Sequence, residues 1–162
     1  LHDMQLIQQF AVLNRKAIVD ELVQGMNLRC DLDFTTIHNY IDLDRMILRK
    51  GAISALKGER VLIPLNMRDG SIICEGLGNP DWNYSAPHGA GRVMSRTEAR
   101  KMLSLKTLHE MMRDVYTTSI SRETLDESPE AYKPASELID EICDTVKLIH
   151  RLRPVYNFKA RD

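Results

Sequence analysis

The sequence predicts an α+β fold in which mixed sheets pack against helices. Three observations carry this. Apolar stripes at helical spacing stand near both ends of the chain. Short apolar runs bounded by turn residues lie between them, at strand length. The two kinds of segment do not alternate in the strand–helix–strand order that builds a parallel sheet. With 162 residues, 43% hydrophobic and 28% charged, the chain suits one domain or a substantial piece of one.

Met4, Ile7, Ala11, Ile18 and Leu22 recur at helical spacing. Residues from about Met4 to Gln24 are therefore expected to form a helix whose stripe packs into the core, with Gly25 as its stop. Thr35-Thr36-Ile37-His38-Asn39-Tyr40-Ile41 reads as a short strand leading into a loop. Val61–Ile63 and Ser71–Cys74 flank the turn signal Asp69-Gly70, which predicts a hairpin-like pair. Gly76 to Gly91 holds four of the eight glycines, two of the six prolines and the only tryptophan, and reads as a long ordered loop of the kind that carries function. Ser95-Arg96-Thr97-Glu98 matches a capping box ahead of Met102 and Leu103, so a helix starts there. Residues from about Thr117 to Pro134 read as a polar loop. A last helix is expected from about Ala135 to Arg151, with Leu138, Ile142, Val146 and Ile149 on one face and Pro154 limiting it. Val155-Tyr156-Asn157-Phe158 suits a closing strand.

A formal net charge of −1 at pH 7 argues against a global field for nucleic acid or membrane. RNA binding would rest on a local basic cluster. No apolar run approaches the 18 or so residues of a membrane span. Leu1-His2-Asp3-Met4-Gln5 lacks the basic start and apolar stretch of a signal peptide. The missing initiator Met suits a fragment, a processed product or a trimmed piece. Cys30, Cys74 and Cys143 are far apart and odd in number, which suits a reducing compartment and a cytoplasmic location.

The chemistry concentrates in the loop Asn79 to Arg92. His88 stands among small residues, and Gly89, Ala90 and Gly91 let backbone approach a phosphate and aim N–H groups at it. Arg92 and Arg96 lie four apart; at the start of the capped helix they would share a face with its positive end. A neutral imidazole beside a phosphate nest can attack phosphorus directly. The plain alternative is a Gly-rich surface loop with an incidental His and exposed arginines, and the residues alone leave both readings open. His38 is either a metal ligand or a hydrogen-bonded strand-edge His, with no further ligand near it in sequence. Arg49-Lys50-Gly51 is either a phosphate contact or a solvated turn. His2, His109 and His150 read as surface or structural residues. Asp126-Glu127 and Asp140-Glu141 read as solvated.

Gly78-Asn79-Pro80 followed by His88-Gly89-Ala90-Gly91-Arg92 and Ser95-Arg96 resembles the signature of RtcB-type RNA ligases. Four more pieces agree in order: Met4 through Asn14-Arg15, Ile37-His38-Asn39, Arg49-Lys50-Gly51-Ala52, and Pro129-Glu130-Ala131-Tyr132-Lys133. The stretch from Arg153-Pro154-Val155 to Lys159 is similar to the family's Lys-terminated tail. The resemblance spans nearly the whole chain. It implies that residues 1–162 are a single C-terminal portion of an RtcB-like fold, without the upstream metal-binding part. It also implies a GTP- and manganese-dependent RNA ligase that joins 3′-phosphate or 2′,3′-cyclic phosphate ends to 5′-hydroxyl ends through a histidine–GMP intermediate.

Carried over by position, the resemblance makes His88 the guanylylated nucleophile and His38 a Mn²⁺ ligand. Ser71, Gly89, Ala90, Tyr132 and Lys159 would hold GTP. Lys50, Arg92 and Arg96 would meet phosphates of the RNA end, in one basic patch. The implied partners are RNA ends from tRNA or damaged RNA, guanine nucleotide, the upstream part of the same ligase and an archease-type accessory protein, with no membrane. Two departures stand out. The resemblance places the family's other metal ligands on an Asp-x-x-Cys, an Asn-His-Phe and a Gly-x-Gly-His upstream, and none of the three is expected in this chain. Leu65-Asn66-Met67-Arg68-Asp69 stands where the family has Gly-Ser-Met-Gly-Thr, which puts charge beside the RNA-end site and suggests a divergent branch, serving repair more than tRNA splicing. The alternative is a non-catalytic RtcB-derived module that binds guanine nucleotide or RNA ends.

Overall fold

The structure, a computed structural model, describes residues 1–159. Among these, the helices are α1 (His2–Gly25), α2 (Arg96–Met102), α3 (Leu105–Met111) and α4 (Ala135–Glu141). The strands are β1 (His38–Asp42), β2 (Ile47–Ser54), β3 (Arg60–Pro64), β4 (Ser71–Gly76), β5 (Ser85–Pro87), β6 (Tyr116–Thr117), β7 (Val146–Leu152) and β8 (Tyr156–Asn157). They form one antiparallel sheet in the order β1-β2-β5, a second in the order β3-β4-β7, and a parallel pair β6-β8. The fold class is α+β, as the sequence predicts.

The larger core lies between the two antiparallel sheets and α4. Ile53 and Ala55 come from the β2 region, Val61, Ile63, Ile72 and Cys74 from the β3–β4 hairpin, and Leu138 and Ile142 from α4. Burial raises the Cys74 thiol to about 11, so it packs as a small hydrophobe. A second cluster joins Met67, Leu108, Met112, Val115 and Leu125. The β3–β4 hairpin forms as its turn residues require: Gly70 takes the left-handed conformation at φ +77°, and a Cβ there would stand 2.1 Å from the Leu152 carbonyl oxygen. At α2, Ser95 and Glu98 make both bonds of the capping box.

Five expectations are corrected. The α1 stripe is not core: no α1 residue is buried, and Ile7 and Leu22 are 61% and 55% exposed. Helical propensity makes α1, and one tie to β1 is the Gln8 amide, which exchanges two hydrogen bonds with the Ile41 backbone at 2.7 and 3.2 Å. In the stretch 35–41 the order is reversed, with irregular backbone first and β1 starting at His38. Arg49-Lys50-Gly51 is no turn but lies inside β2. Thr117 to Pro134 is a loop with two short 3₁₀ turns, but not a solvated one: Ser119, Thr124, Leu125, Asp126, Ser128 and Ala131 are buried. The last helix stops at Glu141, and Val146 onward pairs with β4 as β7, because ladder hydrogen bonds to a waiting edge outweigh a helical apolar pattern. Within Gly76–Gly91 a short 3₁₀ turn (Pro80–Trp82) and β5 interrupt the loop. Among the described residues no helix is long and apolar enough to cross a membrane.

Candidate active site

Pairing of Ala52 with Pro87 brings β5 against β2 and sets the next residue, His88, beside Gly51. The His88 Nδ1 lies 2.7 Å from the Gly51 carbonyl oxygen. A carbonyl only accepts, so Nδ1 carries the hydrogen and the lone pair of the neutral ring sits on Nε2. Gly51 takes φ +68°, while a Cβ there would meet the His88 ring at an ordinary 3.7 Å. The backbone conformation, not space, therefore calls for glycine. Facing it, Asn39 sits at φ +57° in a bulge of β1, and its side-chain oxygen accepts from the Gly51 N–H at 2.8 Å. Asn tolerates that conformation better than most residues. The same bulge leaves the His38 ring 5.1 Å from the His88 ring.

Beyond His88 the backbone is partly committed. The Ala90 N–H donates to the Pro64 carbonyl at 3.1 Å, and a Cβ on Gly89 would crowd that oxygen at 3.2 Å. Ala90 is thus a buried packing residue whose amide already has a partner, and any phosphate nest here lacks it. His88 and Gly89 line a cavity of about 400 Å³ together with Ser71, Glu127, Tyr132 and Lys159. Four residues from distant segments, Ser71, Gly89, Tyr132 and Lys159, converge on one space next to His88. A second cavity of about 730 Å³, also lined by His88, holds Lys50 and Lys133 on its wall.

Arg92 lies ahead of α2 and bridges to Tyr132. Its guanidinium stands over the Tyr132 ring at 4.8 Å and donates to the Tyr132 hydroxyl at 3.0 Å, to the Met94 carbonyl at 3.2 Å and to the Asp126 carbonyl. Arg96 reaches Asp126 at 2.6 Å and Glu127 at 3.0 Å, and Arg100 reaches Asp126 at 3.1 Å. Glu127 Oε2 accepts from the Tyr132 hydroxyl at 2.9 Å and from Lys159 Nζ at 3.1 Å. Arg92 and Arg96 therefore meet around an acidic pair. Lys50 is exposed on β2, has no ion pair among the described residues and lines the other cavity, so the three cations do not form one ion-paired cluster. The Leu65–Asp69 loop has its charges paired: Arg68 meets Asp69 at 3.0 Å, Arg151 of β7 meets Asp69 at 3.9 Å, and the Asn66 side chain caps the turn.

Burial raises the proton affinity of both acids, but cations win. Hydrogen bonds from Arg100 and Arg96 hold Asp126 below its ordinary 3.8, and hydrogen bonds from Lys159 and Tyr132 hold Glu127 below its ordinary 4.5. Burial and the Glu127 carboxylate raise the Tyr132 phenol, so it stays a donor. The acid effect has a definite sign. The stability these carboxylates add is complete above their ordinary values and is lost as pH falls through the lower folded values. Denaturant unfolding is expected to show constant stability from them at pH 6–8 and a decline below about pH 4.5 that Glu127→Gln makes shallower. A variant with the wild-type slope would show that Glu127 does not contribute to it.

Three contributors escape sequence reading. Asp126 is 1% exposed and Glu127 is half-buried, yet both read as solvated, because their partners lie from five to more than thirty residues away. Arg49, paired with Lys50 in the motif, is 2% exposed and bonds Ser85, Tyr40, Asp42 and the Asn83 carbonyl. Its neighbour Lys50 alone faces outward. His2, His109 and His150 are exposed, as expected.

No group of three or more His, Cys, Asp or Glu among the described residues could hold a metal ion. Asp140-Glu141-Ile142-Cys143 does spell an Asp-x-x-Cys, but Cys143 is exposed at the end of α4 and belongs to no such group. His38 is a single candidate ligand, too few for Mn²⁺, which is hard and weakly bound.

The chain has relatives among known proteins. The family model described as tRNA-splicing ligase RtcB matches residues 1–160. The chain is similar to the RNA-splicing ligase RtcB of Escherichia coli strain K12, with 35% identity over 177 residues, covering 94% of this chain and 41% of that protein. It is 37% identical over 106 residues to the tRNA-splicing ligase RtcB of Aeropyrum pernix, covering 60% of this chain and 22% of that one. It is 38% identical over 90 residues to the RNA-splicing ligase RtcB of Mycobacterium tuberculosis, covering 53% and 21%. The chain thus spans less than half the length of these curated relatives.

Proposed function

The chain belongs to the RtcB family of splicing ligases, and from that premise we propose that it carries the nucleophile of a GTP- and manganese-dependent RNA ligase. One observation supports the reading most: a histidine with its lone pair held on Nε2 lies at a cavity where Ser71, Tyr132 and Lys159 converge. In the proposed reaction the His88 Nε2 lone pair attacks the α-phosphorus of GTP. A P–N bond forms, the P–O bond to pyrophosphate breaks, and the Gly51 carbonyl stabilises the charge the ring gains through Nδ1–H. The guanylate then moves to the 3′-phosphate of one RNA, and the 5′-hydroxyl of another displaces it as GMP.

Ser71, Tyr132 and Lys159 hold the nucleotide in this reading, with Gly89 giving close backbone access. Lys50 on β2 and Arg96 on α2 meet the RNA end. Arg92 orders Tyr132 as much as it offers charge, given its inward bonds. Manganese, when bound, offsets charge on the triphosphate. His38 would supply one ligand to it and the others would have to come from outside these residues, so this chain by itself is expected to be inactive. The protein is expected to act in the cytoplasm.

Sealing assays on the full-length protein that carries this sequence test the reading. RNA with a 3′-phosphate or 2′,3′-cyclic phosphate should join RNA with a 5′-hydroxyl, and only with GTP and Mn²⁺ present. Joining of 3′-hydroxyl to 5′-phosphate ends would overturn it. So would binding of GTP and RNA ends with no joined product, which fits the non-catalytic module instead.

A further inference from the structure

We propose that Glu127 is the positioning residue of the nucleotide cavity, linking it to the RNA-end cations through one shared carboxylate. The proposal rests on the reading above that the cavity beside His88 takes guanine nucleotide. Glu127 is the only acidic residue among the described residues lining that cavity. Both of its oxygens are engaged. Oε2 accepts from Tyr132 and Lys159, and Oε1 faces Arg96 at 3.0 Å and Arg92 at 3.8 Å. With its lone pairs used on these donors, Glu127 acts on a ligand through them.

The physical need is plain. Lys159 ends a flexible four-carbon stem whose ammonium would otherwise sample many rotamers. Its backbone is pinned at one place, where Ser119 Oγ accepts from the Lys159 N–H at 2.8 Å and donates to the Lys159 carbonyl at 3.2 Å. That leaves the ammonium position to Glu127. An ammonium has three donors, so one spent on Glu127 leaves two for a ligand. Tyr132 is fixed from two sides: its hydroxyl donates to Glu127 and accepts from Arg92. Arg96 does not line the nucleotide cavity, yet it shares the same carboxylate, which joins this cation of α2 to the groups around the nucleotide.

Equilibrium titration of the full-length protein with GTP, ATP and a 3′-phosphorylated oligoribonucleotide tests this. Glu127→Gln keeps the shape and removes the charge. It should weaken GTP binding about tenfold and ATP binding less than about twofold, because a placed ammonium can donate to the guanine O6 but not to the amino group that adenine has there. It should weaken the 3′-phosphate RNA about threefold through Arg96. Lys159→Ala should lower GTP affinity to a similar degree, and the double variant should bind GTP within about twofold of Lys159→Ala alone, since the two act as one unit. Losses that multiply, equal losses for GTP and ATP, or wild-type GTP affinity in Glu127→Gln would each overturn the proposal. Should Glu127→Gln unfold, Glu127→Asp decides, with GTP affinity below wild type while ATP affinity holds, or the proposal falls. A wild-type protein that binds GTP and ATP alike would instead overturn the reading of the cavity itself.

Discussion

His88→Ala is expected to abolish transfer of guanylate to the full-length protein, a loss of more than about 10³-fold. With Mn²⁺ and α-labelled GTP the wild-type protein should take up a label that survives base and is lost in acid, since a P–N bond breaks once its nitrogen is protonated. No neighbour can replace the imidazole. Ser85, three residues back, donates its hydroxyl to the Asn83 carbonyl at 2.8 Å and accepts from Arg49 at 2.9 Å, so both of its roles are taken. Lys159→Ala should weaken labelling without abolishing it, because a nucleotide contact sets affinity and not the chemistry. The bond to Gly51 adds a spectroscopic reading: long-range ¹H–¹⁵N spectra of the neutral ring should show Nδ1 protonated and Nε2 bare. Mass-spectrometric mapping decides the matter. An adduct on a lysine would belong to another ligase chemistry and would remove the RtcB mechanism.

Arg49→Ala is expected to destabilise the fold by about 3–5 kcal/mol, the range for stripping one partner from a buried charge pair. Its guanidinium is enclosed and spans β1, β2 and the turn before β5. Truncation would take from Asp42 its partner at 3.3 Å, leaving it Arg45 at 3.6 Å, and would remove a donor from the Tyr40 and Ser85 hydroxyls and from the Asn83 carbonyl, which keeps its bond from Ser85. Arg49→Lys should recover only part of the loss, because an ammonium cannot reach four partners from one plane. The damage should extend to the site, since Arg49 lies two residues before Gly51. Denaturant unfolding gives the number, and a change under about 1 kcal/mol would mean the bonds are worth no more than a surface pair.

Local signals were legible wherever a few adjacent residues suffice. Asp69-Gly70 between two apolar runs makes a hairpin, and Ser95 with Glu98 caps α2, because both devices close within four residues. His88-Gly89-Ala90-Gly91-Arg92 marks a candidate site for the same reason, as its residue types stand in consecutive letters. The pattern Leu138, Ile142, Val146, Ile149 misled, since helical spacing cannot reveal that β4 offers an edge at Val146. The α1 stripe misled in the opposite sense: periodicity showed a helix, but burial depends on what packs against it.

By itself, then, the sequence determined the α+β class, the hairpin, the capped helix, the family and the histidine proposed as the nucleophile. Tertiary structure alone decided that Gly51 turns the His88 ring, that Arg49 is enclosed while Lys50 faces outward, and that Asp126 and Glu127 gather cations from three segments. The reason is range. A turn or a cap closes over a few bonds and leaves its trace in neighbouring letters. A buried ion pair forms only when folding removes water between groups tens of residues apart, and until then an acid in a polar stretch is indistinguishable from a solvated one.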